Sequence, residues 1–72
     1  MVYGVIYNMD YSKVLKVLRE KMLVTQTELA ELLEVSFQTV NRWETGKHEP
    51  TIKAKRKIKV LLEQNNIKFE ED

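Results

Sequence analysis

Residues 25–51 read TQTELAELLEVSFQTVNRWETGKHEPT, and this stretch decides the fold. Its first four residues, TQTE, have the capping-box pattern, in which the threonine and the glutamate satisfy each other's free backbone groups at a helix start. Ser36 is a good N-cap for a second helix, and Gly46 fits the left-handed position that ends one. The stretch therefore predicts two short helices, at about 25–33 and 37–45, joined by a turn at 34–36.

The apolar spacing indicates which sides of these two helices are buried. Leu29, Leu32 and Leu33 supply the buried side of the first helix. Val40 and Trp43 lie three residues apart and share one face of the second. A turn of this length sets two helices near a right angle, and in the DNA-binding version the second helix enters the major groove.

Two further helices are predicted on either side of this pair. The first covers about 11–22, with Asp10 or Ser12 as its cap. The last begins after Pro50, is capped by Thr51 and continues to about residue 65. Their predicted buried residues are Val14, Leu15, Leu18 and Met22 in the first helix and Ala54, Ile58, Leu61 and Leu62 in the last.

The two ends of the chain have a different pattern. Residues 2–7, VYGVIY, are rich in β-branched and aromatic residues, and residues 67–70, IKFE, alternate apolar with polar. Both segments can be short strands that pair with each other or across a dimer axis, and the alternative is two frayed ends. The last three residues are acidic.

Composition excludes several classes of function. At 72 residues the chain allows one domain with a small core. It has no cysteine and a single histidine, so thiolate metal sites, cysteine nucleophiles and a zinc centre are excluded. No paired acid and base, phosphate loop or nucleophile motif indicates an enzyme. No membrane-spanning run or cleavable leader is evident, which predicts a cytoplasmic protein.

The central stretch resembles the phage repressor and Cro class of helix-turn-helix regulators, the xenobiotic response element (XRE) family. The matching residues are 25–33 (TQTELAELL), 35–36 (VS), 39–47 (TVNRWETGK) and 50–51 (PT). The resemblance implies an all-α, lambda-repressor-like bundle of four or five helices, to which the patterns at the termini add candidate short strands, and no cofactor is expected. The domain organisation is then an N-terminal extension or strand at 1–9, a DNA-binding domain at 10–65, and a C-terminal strand or acidic tail at 66–72.

Two features of the resemblance concern single residues. The family usually has glycine in the turn where this sequence has Glu34, and a non-glycine residue with positive φ costs about 1 kcal/mol. We therefore expect a slightly strained or differently shaped turn. The resemblance also implies a largely buried ion pair between Arg19 and Glu44, and two solvated charges are the alternative.

The predicted DNA contacts lie on the side of the second helix opposite Val40 and Trp43. We expect Phe37, Gln38, Asn41 and Arg42 to face the bases. The amide of Gln38 suits adenine, and the guanidinium of Arg42 suits guanine. Phe37 either contacts a thymine methyl group or packs against the protein or a partner. The expected phosphate contacts are Gln26, Ser36, Thr45, Lys47 and Lys53, of which Gln26 follows from the resemblance.

One domain of this size covers about half of a twofold DNA site, so we expect a homodimer on an inverted-repeat operator. The terminal strands and the apolar residues Val60, Ile67 and Phe69 are the candidates for its interface. The resemblance implies a transcriptional repressor, and the sequence shows no small-molecule pocket. A protein-binding module on the same fold, such as an antitoxin or accessory regulator, is the alternative function.

Overall fold

The computed structural model describes residues 3–6 and 10–69 of the chain. Four helices occupy most of this part: α1 (Tyr11–Met22), α2 (Gln26–Leu33), α3 (Phe37–Glu44) and α4 (Ile52–Gln64). Two short strands, β1 (Tyr3–Ile6) and β2 (Ile67–Phe69), flank them in sequence. The predicted helical bundle is confirmed, and the described residues contain no fifth helix.

Each helix begins at a polar residue whose side chain accepts a hydrogen bond from a backbone N–H of the first turn. The four caps are Asp10, Thr25, Ser36 and Thr51. At α2 the full capping box is present, because the backbone N–H of Thr25 also donates to the carboxylate of Glu28 at 2.9 Å. These caps satisfy backbone donors that a helix cannot satisfy by itself, so the predicted starts agree with the structure.

The chain turns through the left-handed region after all four helices, at α4 with Asn66 (φ 58°), and the first three ends share one hydrogen-bond pattern. Leu23 follows α1 with φ 59°, Glu34 follows α2 with φ 60°, and Gly46 lies just beyond α3 with φ 79°. In each case the next residue donates its N–H to a carbonyl five residues earlier, as Val35 does to Ala30 at 2.9 Å. Glycine adopts this conformation at no steric cost, whereas the Cβ atoms of Leu23 and Glu34 make it sterically unfavourable.

The core lies where α3 packs against α1 and α2, and α4 closes the bundle against the same two helices. Its fully buried side chains are Val14, Leu15, Leu18, Leu29, Leu33, Val40, Ile58 and Leu62. The prediction that Leu32 is buried was wrong, because its side chain is 48% exposed. Leu29 and Leu33, four residues apart, face the core, and Leu32 lies on the side of that stripe nearer to solvent.

The two strands form a small parallel sheet. Tyr3 is opposite Ile67 and Val5 is opposite Lys68, so Gly4 is the extra residue at a shift of register. β2 packs against α4, and Ile67 is 2% exposed within the core. Ile67 therefore stabilises the monomer, and the suggestion that it belongs to a dimer interface was wrong.

Candidate nucleic-acid interface

The exposed face of α3 carries every residue that was predicted to contact bases. Phe37, Gln38, Asn41 and Arg42 are all exposed. On the opposite side, Val40 and Trp43 are buried against the other helices. Burial of the hydrophobic side thus fixes the rotation of α3 about its axis. The opposite side faces away from the helical bundle and is exposed.

A single buried carboxylate joins three helices at the end of α3. Glu44 is 3% exposed, and its two oxygens accept hydrogen bonds from Nε of Arg19 at 2.7 Å and Nη2 of Arg19 at 2.9 Å. The Nε2 atom of Gln26 donates to the same carboxylate at 2.9 Å. The hydrogen bonds and charge of Glu44 raise the pKa of Arg19 above its ordinary value. The structure thus contains the ion pair that the resemblance implies, with an additional partner.

Gln26 lies at the start of α2, beside the exposed helix face. Since one of its amide hydrogens is donated to Glu44, the second hydrogen and the carbonyl oxygen remain for another partner. Its neighbours Val24, Thr25 and Thr27 line an open concave surface together with Phe37 and Arg19. Phe37 is 45% exposed, so the protein covers only part of its ring.

Two hydroxyl groups that were expected to contact phosphates already take part in local hydrogen bonds. The hydroxyl of Thr45 donates to the carbonyl of Asn41 at 2.9 Å, with the carbonyl of Arg42 at 3.2 Å. A hydroxyl has one proton, so Thr45 must give up this bond to donate to a phosphate. The hydroxyl oxygen of Ser36 accepts a hydrogen bond from the backbone N–H of Thr39, and the two hydroxyl groups share a second hydrogen bond. When Thr39 is the donor in that second bond, the hydroxyl proton of Ser36 is free.

Four of the lysines that follow α3 fall into two groups. Lys47, in the loop after α3, and Lys53, in the first turn of α4, are exposed, as is His48. By contrast, Lys57 binds the carboxylate of Glu34 at 2.6 Å, and this hydrogen bond lowers the pKa of Glu34. Lys55 likewise binds the carboxylate of Glu49 at 3.1 Å and lies 5.0 Å from the centre of the Tyr11 ring.

The sequence that forms these elements matches a known protein family. The family model described as helix-turn-helix matches residues 15–58, which include α2, the turn and α3. The chain belongs to the XRE, or Cro/C1-type, helix-turn-helix family. This XRE protein is accordingly a DNA-binding regulator, and the family is not one of enzymes. No match was found among curated proteins or among solved structures.

Two properties of the described residues complete the site. No helix among them is long and apolar enough to cross a membrane. Within residues 3–6 and 10–69, no three acidic or histidine side chains are grouped so that they can hold a metal ion. The exposed face of α3 and the residues beside it present amides, a guanidinium, hydroxyls, an aromatic ring and, from Lys47 and Lys53, ammonium groups, which suit base edges and phosphates.

Sequence reasoning missed two long-range contacts, one between the turn and α4 and one between α2 and the end of α3. The pair of Glu34 and Lys57 is separated by 23 residues, and the bond from Gln26 to Glu44 by 18. No spacing rule within a helix links residues this far apart. The available signal was the basic run of α4, residues 53–59, which by itself is typical of a solvated helix surface.

Proposed function

We propose that α3 lies in the major groove and reads a specific DNA sequence, and that the protein represses transcription by occupying promoter DNA. The observation that carries this proposal is the exposure of Phe37, Gln38, Asn41 and Arg42 on one face while the opposite face is buried. Gln38, in the first turn, is suited to adenine, and Arg42, one turn later, is suited to guanine. Each such contact discriminates between bases by about 1–3 kcal/mol.

The phosphate contacts are proposed on both sides of this face. Gln26 contributes its free amide hydrogen from the start of α2, held in place by Glu44. Lys47 and Lys53 contribute exposed ammonium groups from the other side. Ser36 and Thr45 contribute hydroxyls after rearrangement of their local hydrogen bonds. These groups hold the protein in register on the duplex and carry no sequence information directly.

We further propose a homodimer on an inverted-repeat operator, in a cytoplasmic regulator. One copy of α3, with eight residues, reads only a few base pairs. Two copies related by a twofold axis read two half-sites about 34 Å apart, which multiplies the number of specific contacts. The two half-sites must then be inverted copies of each other, because the operator shares the symmetry of the protein.

Selection from random duplex DNA tests this function. The wild-type protein is expected to enrich an inverted repeat. The substitutions Gln38→Ala and Arg42→Ala should each relax the preference at one position of each half-site. Gln64→Ala and Lys16→Ala, which remove an exposed amide from the end of α4 and an exposed cation from α1, are the matched controls.

The outcome of this selection separates the two candidate functions. If no sequence is enriched and binding is weak and salt-sensitive, the protein-binding alternative is correct and the specific regulator is not. If a sequence is enriched but the variants at 38 and 42 keep the wild-type preference, α3 does not read the bases in the proposed way.

A further inference from the structure

β1 is an edge strand whose sequence offers little protection against pairing with another chain. In the described sheet β1 has β2 along one side and no strand along the other. Free edges bind other strands through their unpaired backbone groups, and natural proteins block them with charged residues or proline. Residues 1–9, MVYGVIYNM, contain neither. The register shift at Gly4 interrupts only the start of β1 and leaves Val5 and Ile6 as its regular part.

The free edge of β2 is different. Lys68 is the middle residue of this three-residue strand and is exposed. If two β2 strands paired across a twofold axis, the two copies of Lys68 would lie opposite or close to each other, and like charges in that position are destabilising. A pair of β1 strands brings no charges together, since β1 contains none.

We propose that β1 pairs antiparallel with β1 of a second copy of this chain, which makes one four-stranded sheet with its twofold axis between the β1 strands. A twofold axis places the edges of two identical strands antiparallel by symmetry. This inference depends on the proposed function for one point only, the requirement that the protein forms a twofold dimer.

Disulfide formation between single cysteines tests this interface directly, because the chain has no cysteine of its own. At the axis of an antiparallel pair one residue lies opposite its own copy, at a Cα–Cα distance of about 4.5–5.5 Å that a disulfide can span. Cysteine is placed at each of the four positions of β1 in turn. The controls are Lys68→Cys on β2 and Ile52→Cys on α4, where the native side chain is 65% exposed.

We expect one β1 variant to form a covalent dimer at least about tenfold faster than both controls at roughly 100 µM protein, since pairing holds two thiols at an effective concentration of millimolar order. Faster cross-linking at position 68 or 52 would overturn the proposed interface.

Because a β1 substitution can disturb folding, amide hydrogen exchange of the wild-type protein is measured as well. Protection of β1 should rise with protein concentration, and sedimentation showing a monomer with and without DNA would contradict the proposal.

The interface and the DNA-binding function fail in distinguishable ways. Enrichment of an inverted repeat by a protein that cross-links elsewhere overturns the interface alone. Cross-linking through β1 without enrichment of any DNA sequence overturns the proposed function alone.

Discussion

At the scale of single residues, Glu44 has the largest structural role. Its carboxylate accepts hydrogen bonds from Arg19 of α1 and Gln26 of α2, and it is itself the last residue of α3. A buried charge of this kind adds little net stability while it is paired, but the loss of one partner leaves the other uncompensated. It also fixes Gln26 beside the proposed DNA surface.

Glu44→Gln should lower the free energy of unfolding by about 3 to 5 kcal/mol, because Arg19 then keeps a charge without an anionic partner. Replacing both members, as Arg19→Met with Glu44→Gln, should cost less than the sum of Arg19→Met and Glu44→Gln made singly. Urea denaturation of the four proteins of this cycle measures the coupling. A coupling energy of zero would mean that the two charges act independently.

Glu34 is a residue whose backbone and side chain have opposite effects on stability. Its left-handed conformation costs about 1 kcal/mol relative to glycine, whereas its ion pair with Lys57 contributes little because solvent screens the two charges. Glu34→Gly is therefore expected to be neutral or stabilising in a thermal melt. Glu34→Ala, which loses the ion pair and keeps a Cβ atom, should be less stable than Glu34→Gly. Clear destabilisation by glycine would contradict the strain argument.

The pH dependence of stability should reflect the carboxylates of Asp10 and Glu34. The pKa of Asp10 is lowered mainly by the hydroxyl of Ser12, and that of Glu34 mainly by the ammonium group of Lys57. Since both pKa values are lower in the folded state, these groups stabilise the protein above their ordinary values of 3.8 and 4.5, and the contribution is lost as the pH falls through the folded values.

We therefore expect the double variant Asp10→Asn, Glu34→Gln to lose less stability than the wild-type protein as the pH falls from about 5 through the lowered pKa values of the two carboxylates. Chemical denaturation across this range measures the difference. Equal losses in the two proteins would show that other carboxylates account for the acid sensitivity.

At the scale of elements, the structure depends on how short helices begin. α2 and α3 have eight residues each, a length at which an isolated helix is unstable in water. Both are stabilised by their caps and by burial of one face against the rest of the bundle. The same caps position the residues at the helix starts, which are the ones proposed to approach DNA.

Thr25→Ala removes one half of the capping box of α2 and should lower the free energy of unfolding by about 0.5–2 kcal/mol. Thr25→Ser keeps an oxygen that can accept from Glu28 and should be close to the wild-type protein. Denaturant titration compares the two. If alanine and serine gave the same stability, the side-chain bond to the backbone of Glu28 would contribute nothing.

At the scale of the whole molecule, the net charge of +1 hides an uneven distribution of charge. Lys55 and Lys57 are neutralised by Glu49 and Glu34, whereas Lys47 and Lys53 are exposed. The structure thus divides these four lysines into cations that pair within the protein and cations available to phosphates.

Salt dependence of DNA binding should reveal this division. Lys53→Ala is expected to lower the slope of log K against log salt by about 0.9, the effect of losing one phosphate contact. Lys57→Ala is the matched control and should leave the slope nearly unchanged, since its charge is already paired with Glu34. Equal slopes for the two variants would contradict the assignment of Lys53 as a phosphate contact.

The structural features that the sequence by itself determined arise from local interactions. The four helix starts, the left-handed Gly46 and the buried face of α3 all follow from contacts within a few residues of each other, which are visible as patterns. Leu32 shows the limit of such patterns: Leu29, Leu32 and Leu33 are equally apolar, and the packing of α2 against its neighbours selects two of them.

Only the tertiary structure decided which distant groups meet. The bond from Gln26 to Glu44, the pairing of Lys57 with Glu34 and the parallel pairing of β1 with β2 join residues between 18 and more than 60 positions apart in sequence. Such contacts depend on the relative placement of whole helices, which follows from the packing of the complete core and from no local pattern.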